Sequence, residues 1–168
     1  ALPIAAFAQP LPSIADKTKT MKKYDGFLPF YWDEDAGKIW LEISRTGQEI
    51  LYLASLPAGL GSNDIGLDRG TMAETKIVQF LRVGRSILLV QPNYGYRAVS
   101  NDPNERRAVE QSFAQSTIWG FTAAAATGNA VLVDATDFLL RDAAKACSRI
   151  KAINQGTYTP DQSRSVMY

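Results

Sequence analysis

Phe27-Leu28-Pro29-Phe30-Tyr31-Trp32-Asp33-Glu34-Asp35-Ala36-Gly37-Lys38-Ile39-Trp40-Leu41-Glu42-Ile43 is the stretch that decides the fold class. Two runs rich in aromatic and aliphatic residues, Phe27 to Trp32 and Ile39 to Ile43, flank a short acidic segment, and Gly37 offers the positive φ that a tight reversal needs. The pattern predicts a β-hairpin. The alternating carboxylates of Asp33 and Asp35 also resemble the opening of a calcium loop. The twelfth position of such a loop falls on Ser44, where a bidentate Glu is required, and a strand occupies the positions before it.

Working outward, Gly47 introduces a third strand over Glu49 to Ser55. Thr75 to Val83 and Ser86 to Gln91 form a second hairpin around Gly84-Arg85. The connections are too short for helical crossovers, so the strands are expected to run antiparallel as a meander. Asp102-Pro103-Asn104-Glu105 carries an N-cap, a first-turn proline and a capping-box glutamate. It starts a helix to about Gln115, with Ala108, Val109, Ser112 and Phe113 as its buried stripe. Thr117 to Thr122 and Ala130 to Val133 follow as strands joined through Ala123 to Asn129. A second helix is expected from about Thr136 to Ile150, with Asp134, Thr136 and Asp137 at its N-terminus. Its apolar face would hold the lone Cys147 in the core beside Leu139, Ala143, Ala146 and Ile150. The tail ends in a short strand-like Ser165 to Tyr168. The expected fold class is α+β: an antiparallel β-sheet meander with about two helices packed on it, forming one domain over residues 24–168.

The chain has 168 residues, 46% hydrophobic and 21% charged, which is the size and composition of one globular domain. Its formal charge of +1 gives no footprint for nucleic acid. There is no histidine. That removes the commonest general base, the commonest zinc ligand and every Ser-His or Cys-His nucleophilic pair, so no catalytic, cofactor-binding or metal-ligating residue is assigned. Residues 1–8 are apolar or small and end in the A-x-A arrangement Ala6-Phe7-Ala8, read as the remnant of a secretory signal peptide. Residues 9–23, with two prolines and four lysines, are read as a polar tether. Export to the periplasm or the extracellular space is the expectation, with no transmembrane segment.

The least routine stretch is Gly59-Leu60-Gly61-Ser62-Asn63-Asp64-Ile65-Gly66-Leu67-Asp68-Arg69-Gly70. It is neither a Walker loop nor a dinucleotide-binding turn. A loop this long and polar either has a function or is stitched together by its own hydrogen bonds, and its residues alone leave both open. Asn63, Asp64, Asp68 and Arg69 are its candidate contact residues. The aromatics Tyr31, Trp32, Trp40, Tyr94 and Tyr96 suit core packing, or, if they share one open face, stacking on peptides or glycans.

Several segments in fixed order carry a family resemblance: Lys23 to Asp33, Gly59 to Gly70, Val90-Gln91-Pro92-Asn93-Tyr94, Asn104 to Glu110, Leu132 to Asp142, Gly156-Thr157-Tyr158 and Asp161 to Ser165. Together they resemble the N-terminal region of large, uncharacterised, exported bacterial zinc-dependent metallopeptidases, whose H-E-x-x-H catalytic domain lies downstream. The resemblance implies a non-catalytic segment that supports folding, docks on the downstream catalytic domain or walls the substrate cleft. Its implied partners are that domain and peptide substrate, and the implied zinc sits in the catalytic domain. The alternative, from a different class, is a stand-alone envelope binding module for peptides or glycans that uses exposed aromatics.

Overall fold

The structure, a computed structural model, describes residues 10–59, 64–72 and 75–167. Its centre is an eight-stranded antiparallel sheet: β1 (Lys22–Tyr24), β2 (Phe30–Asp33), β3 (Lys38–Ile43), β4 (Ile50–Tyr52), β5 (Lys76–Val83), β6 (Ser86–Gln91), β7 (Ser116–Thr127) and β8 (Ala130–Asp134). The order across the sheet is β1-β2-β3-β8-β7-β6-β5-β4. The α+β antiparallel expectation therefore holds, but the meander runs in two pieces, β1 to β3 and β4 to β8, joined by a connection that crosses from the middle of the sheet to its far edge. The deciding hairpin forms with Asp33 opposite Lys38. Gly37 takes φ +62°, and the Asp33 carboxylate accepts the Ala36 N–H, the hydrogen bond of a turn.

The sheet curls on itself. Thr46, just beyond β3, bridges Phe80 of β5, and the Gly47 N–H donates to the Phe80 carbonyl at 2.8 Å, although β8, β7 and β6 separate β3 from β5 in the order. The inner face holds the main core: Ile43, Val78, Phe80, Ile87, Leu89, Phe121, Val131 and Val133. These come from alternate positions of five strands, as the two-residue side-chain period requires. A register shift between Ala123 and Ala125 reverses that parity within β7, as a bulge does. Ala125 thereby joins Leu132, Tyr31 and Trp40 on the outer face.

That outer face is covered by α1 (Ile14–Thr18), inside the stretch read as a tether. Ser13 caps it by accepting the Asp16 N–H. Ile14 and Thr18 are buried. The Ala126 N–H donates to the Pro12 carbonyl, and the Ile14 N–H to Thr127 Oγ1. Lys22 and Lys23 lie in β1, paired with Trp32 and Tyr31. Residues 123–127 of the stretch read as a link, 123–129, belong to the continuous strand β7. Alanine suits it because a helix lies against it.

The predicted helices also differ in detail. α2 (Pro103–Ser112) starts at Asp102, whose carboxylate accepts the Asn104 N–H, but none of its residues is buried. Its expected stripe is exposed or half-buried, and it is tied back through Phe113, stacked on Tyr96 at 3.9 Å. The stretch 136–150 is two short helices, α3 (Thr136–Leu140) and α4 (Ala146–Ala152), because Arg141 leaves the helical region and Lys145 takes a left-handed φ of 57°. Leu139 is consequently exposed and Cys147 only half-buried, so neither is core. Residues 165–167 form no strand and follow a 3-10 turn at Gln162–Arg164.

Candidate functional site

The loop between β4 and β5 is clasped at its base. Ser55 bridges Met72, the Leu56 N–H donates to the Thr71 carbonyl, and the Gly70 N–H donates to the Leu56 carbonyl. Beyond the clasp, Ile65 and Leu67 turn inward, Leu67 with 1% exposure. Arg149 of α4 donates through Nη1 to the carbonyls of Ile65 at 3.1 Å and Gly66 at 3.0 Å. Glycine suits position 66, whose φ is +61°. Among the described residues of the loop, Ile65 and Leu67 anchor it. Asp64, Asp68 and Arg69 are exposed; Asn63 lies outside the described residues.

Behind the loop is a cleft. A pocket of about 250 Å³ is walled by Leu56, Leu67, Leu139 and Ala146, with Arg141 and Arg149 at its rim. It shares Arg141, Ala143 and Arg149 with an adjoining pocket of about 560 Å³ that extends to Tyr52, Lys76 and Lys145. Arg141 is held on three sides. Its Nη2 donates to the Tyr52 hydroxyl at 2.6 Å, and its guanidinium lies 4.1 Å from the Phe138 ring centre and 5.9 Å from that of Trp119, a cation–π arrangement. Asp142, next in sequence, also lines both pockets and holds α4: its two oxygens accept the N–H groups of Ala146 at 2.8 Å and Cys147 at 2.9 Å. Burial, and then the neighbouring Asp142, push the Cys147 thiol above its ordinary pKa, the opposite of an activated nucleophile.

Neither arginine was a sequence candidate. Reading 136–150 as one helix gave neither a role, whereas the break at Arg141 is what brings them into one cleft. The signal available was the run Arg141-Asp142-Ala143-Ala144-Lys145, whose aspartate stands four residues ahead of a second helical start.

The edge beside the loop is apolar. In the ribbon of β4 and β5, Leu51 stands opposite Ile77. Both are exposed, Leu51 at 72%; Leu53 shares its side of the strand, and Met72 lies farther along at the loop base with 69% exposure. The aromatics that a binding module would need on one open face do not share one. Tyr31 and Trp40 are buried beneath α1. Trp32 lies on the opposite face in a shallow pocket with Tyr24, Phe30 and Ile39, and Tyr94 and Tyr96 belong to another loop, near α2.

The chain lacks histidine, and among the described residues no three cysteine, aspartate or glutamate side chains gather where they could hold a metal. Nor is any helix among them long and apolar enough to cross a membrane.

The fold and the cleft together define a histidine-free α+β domain with a curled sheet, an anchored polar loop and an arginine-rimmed recess. The chain belongs to the family described as Domain of unknown function (DUF5117), whose match spans residues 70–168 and so takes in β5 to β8 and helices α2 to α4. No curated protein and no solved structure gives a significant match.

Proposed function

We propose that this chain is a non-catalytic docking domain of an exported zinc-dependent metallopeptidase, acting in the periplasm or outside the cell, with peptide hydrolysis carried by a downstream domain. The observation that carries the reading is the edge ribbon: Leu51 and Ile77 exposed side by side on the outermost strand pair, next to a polar loop fixed from behind by Leu67 and Arg149. A bare apolar sheet edge is a surface that proteins normally cover. The exposed Asp64, Asp68 and Arg69 beside it supply the polar rim of an interface. The sequence resemblance supplies the identity of the partner, and the lack of any histidine agrees with a domain whose work is done by another.

The test is to change Asp68 and Arg69 together to Ala in the full gene product and measure peptidase activity and domain stability separately. Activity falls by more than tenfold while stability of this domain moves by no more than about 0.5 kcal/mol, as for exposed positions. A loss of stability with activity intact makes the loop a structural staple only. A full reading frame without H-E-x-x-H removes the peptidase from the account.

A further inference from the structure

We propose that the cleft between the loop residues Leu56, Leu67 and Thr71 and α3–α4 binds a carboxylate carried on a short apolar body, the chemistry of a peptide's C-terminal end with an aliphatic last residue or of an acylated amino acid. The site is independent of the docking edge and lies behind the loop.

Charge is the first argument. Among the described residues neither Arg141 nor Arg149 forms an ion pair with a carboxylate; the ion pairs shown join Lys23 to Asp25, Lys38 to Asp134 and Arg164 to Asp161. The nearest acid in sequence, Asp142, has both oxygens engaged by backbone N–H groups of α4. Two guanidinium groups therefore border one recess with neither paired to a carboxylate, and with Lys145 in the adjoining pocket the cations outnumber Asp142, the acid that lines both.

Donor supply is the second. A guanidinium carries five N–H donors. Arg141 spends Nη2 on Tyr52, and Arg149 spends only Nη1 on the loop carbonyls. The remaining donors are held in place by those same bonds and by the Phe138 ring, which is the preorganisation that two-pronged recognition of a carboxylate needs. Shape is the third. Leu56, Leu67, Leu139 and Ala146 line the 250 Å³ recess, a lining that favours an aliphatic group over a bare inorganic anion.

Titration of the ¹⁵N-labelled 168-residue chain with N-acetyl-L-leucine and with N-acetyl-L-leucinamide, followed by amide and arginine Nε–H shifts, tests this. The acid gives saturable shifts at residues 141–149 and Leu67, and the neutral amide binds at least tenfold more weakly. Arg149→Gln and Arg141→Gln each weaken the acid by about tenfold, the usual scale of a charged hydrogen-bond pair. Should either variant fail to fold, raising the salt from 50 to 500 mM on the unaltered chain must weaken the acid and leave the amide unchanged. Acetyl-Ala-Ala-Leu binding more tightly than N-acetyl-leucine assigns the site to peptide ends; equal binding assigns it to single acylated residues. Equal shifts from acid and amide, no saturation by the acid, or inorganic phosphate binding as tightly as the acid would each overturn the proposal.

Discussion

Asp142 holds one end of the cleft in place. By accepting two N–H groups at the start of α4 it satisfies donors that the short helix cannot, and Lys145, at the N-cap position, makes no side-chain cap bond. Asp142→Ala is expected to lower stability by about 1 kcal/mol in urea denaturation. It should also bring the Cys147 thiol down toward its ordinary range, so that iodoacetamide alkylates Cys147 faster at pH 8 than in the unaltered chain; an unchanged rate would show that burial alone controls the thiol. Asp134 gives a pH signature. Partial burial works against its charged form, but hydrogen bonds from Lys38 and from Thr136 outweigh this and hold its carboxyl below the ordinary range. A group whose folded pKa is depressed stabilises above its unfolded pKa of about 3.9 and loses that contribution as pH falls through the folded value. Lys38 is raised correspondingly by Asp134. Asp134→Asn should therefore be less stable at pH 7 and show a smaller decline in stability between pH 5 and pH 2 than the unaltered chain. Identical acid profiles would mean that the pair, more than a third exposed on the Lys38 side, is screened to nothing.

α1 is five residues long and could not persist alone. It exists because Ile14 fills a depression floored by Ala125 and Leu132. Ile14→Ala is expected to cost about 2–4 kcal/mol and to expose Trp40, read as a red shift in tryptophan emission at mild denaturant; a cost below about 0.5 kcal/mol would make α1 a loose strap. This element also marks where sequence reading ends. Strand pairs with a turn glycine, such as Asp33 to Lys38 and Gly84-Arg85, were legible because the turn chemistry is local. α1 was not, since its only apolar anchor is one isoleucine among lysines and its partner surface is a run of alanines more than a hundred residues away. The 136–150 stretch failed for the opposite reason. Its apolar spacing continues through Ala143 and Ala146, while the break comes from Arg141 being drawn to Tyr52 and Phe138, contacts that no spacing reveals. The site followed suit: the loop's polar residues were visible, and the arginines behind it were not.

At the scale of the molecule, a curled sheet leaves two unlike flanks. One is sealed by α1 over Tyr31 and Trp40. The other ends in the β4–β5 ribbon with Leu51 and Ile77 in solvent and the anchored loop beside them. Because the ribbon edge is open in the isolated chain, its backbone amides are the natural reporters of whether a partner covers it. The most direct measurement is hydrogen exchange at residues 50–53 and 76–78, compared between the isolated 168-residue chain and the full gene product. Docking predicts that amides of this ribbon exchange at least tenfold more slowly in the full protein, with the α1-covered flank unchanged. Equal exchange in both would contradict the docking account and leave this edge a solvent-facing border of the fold.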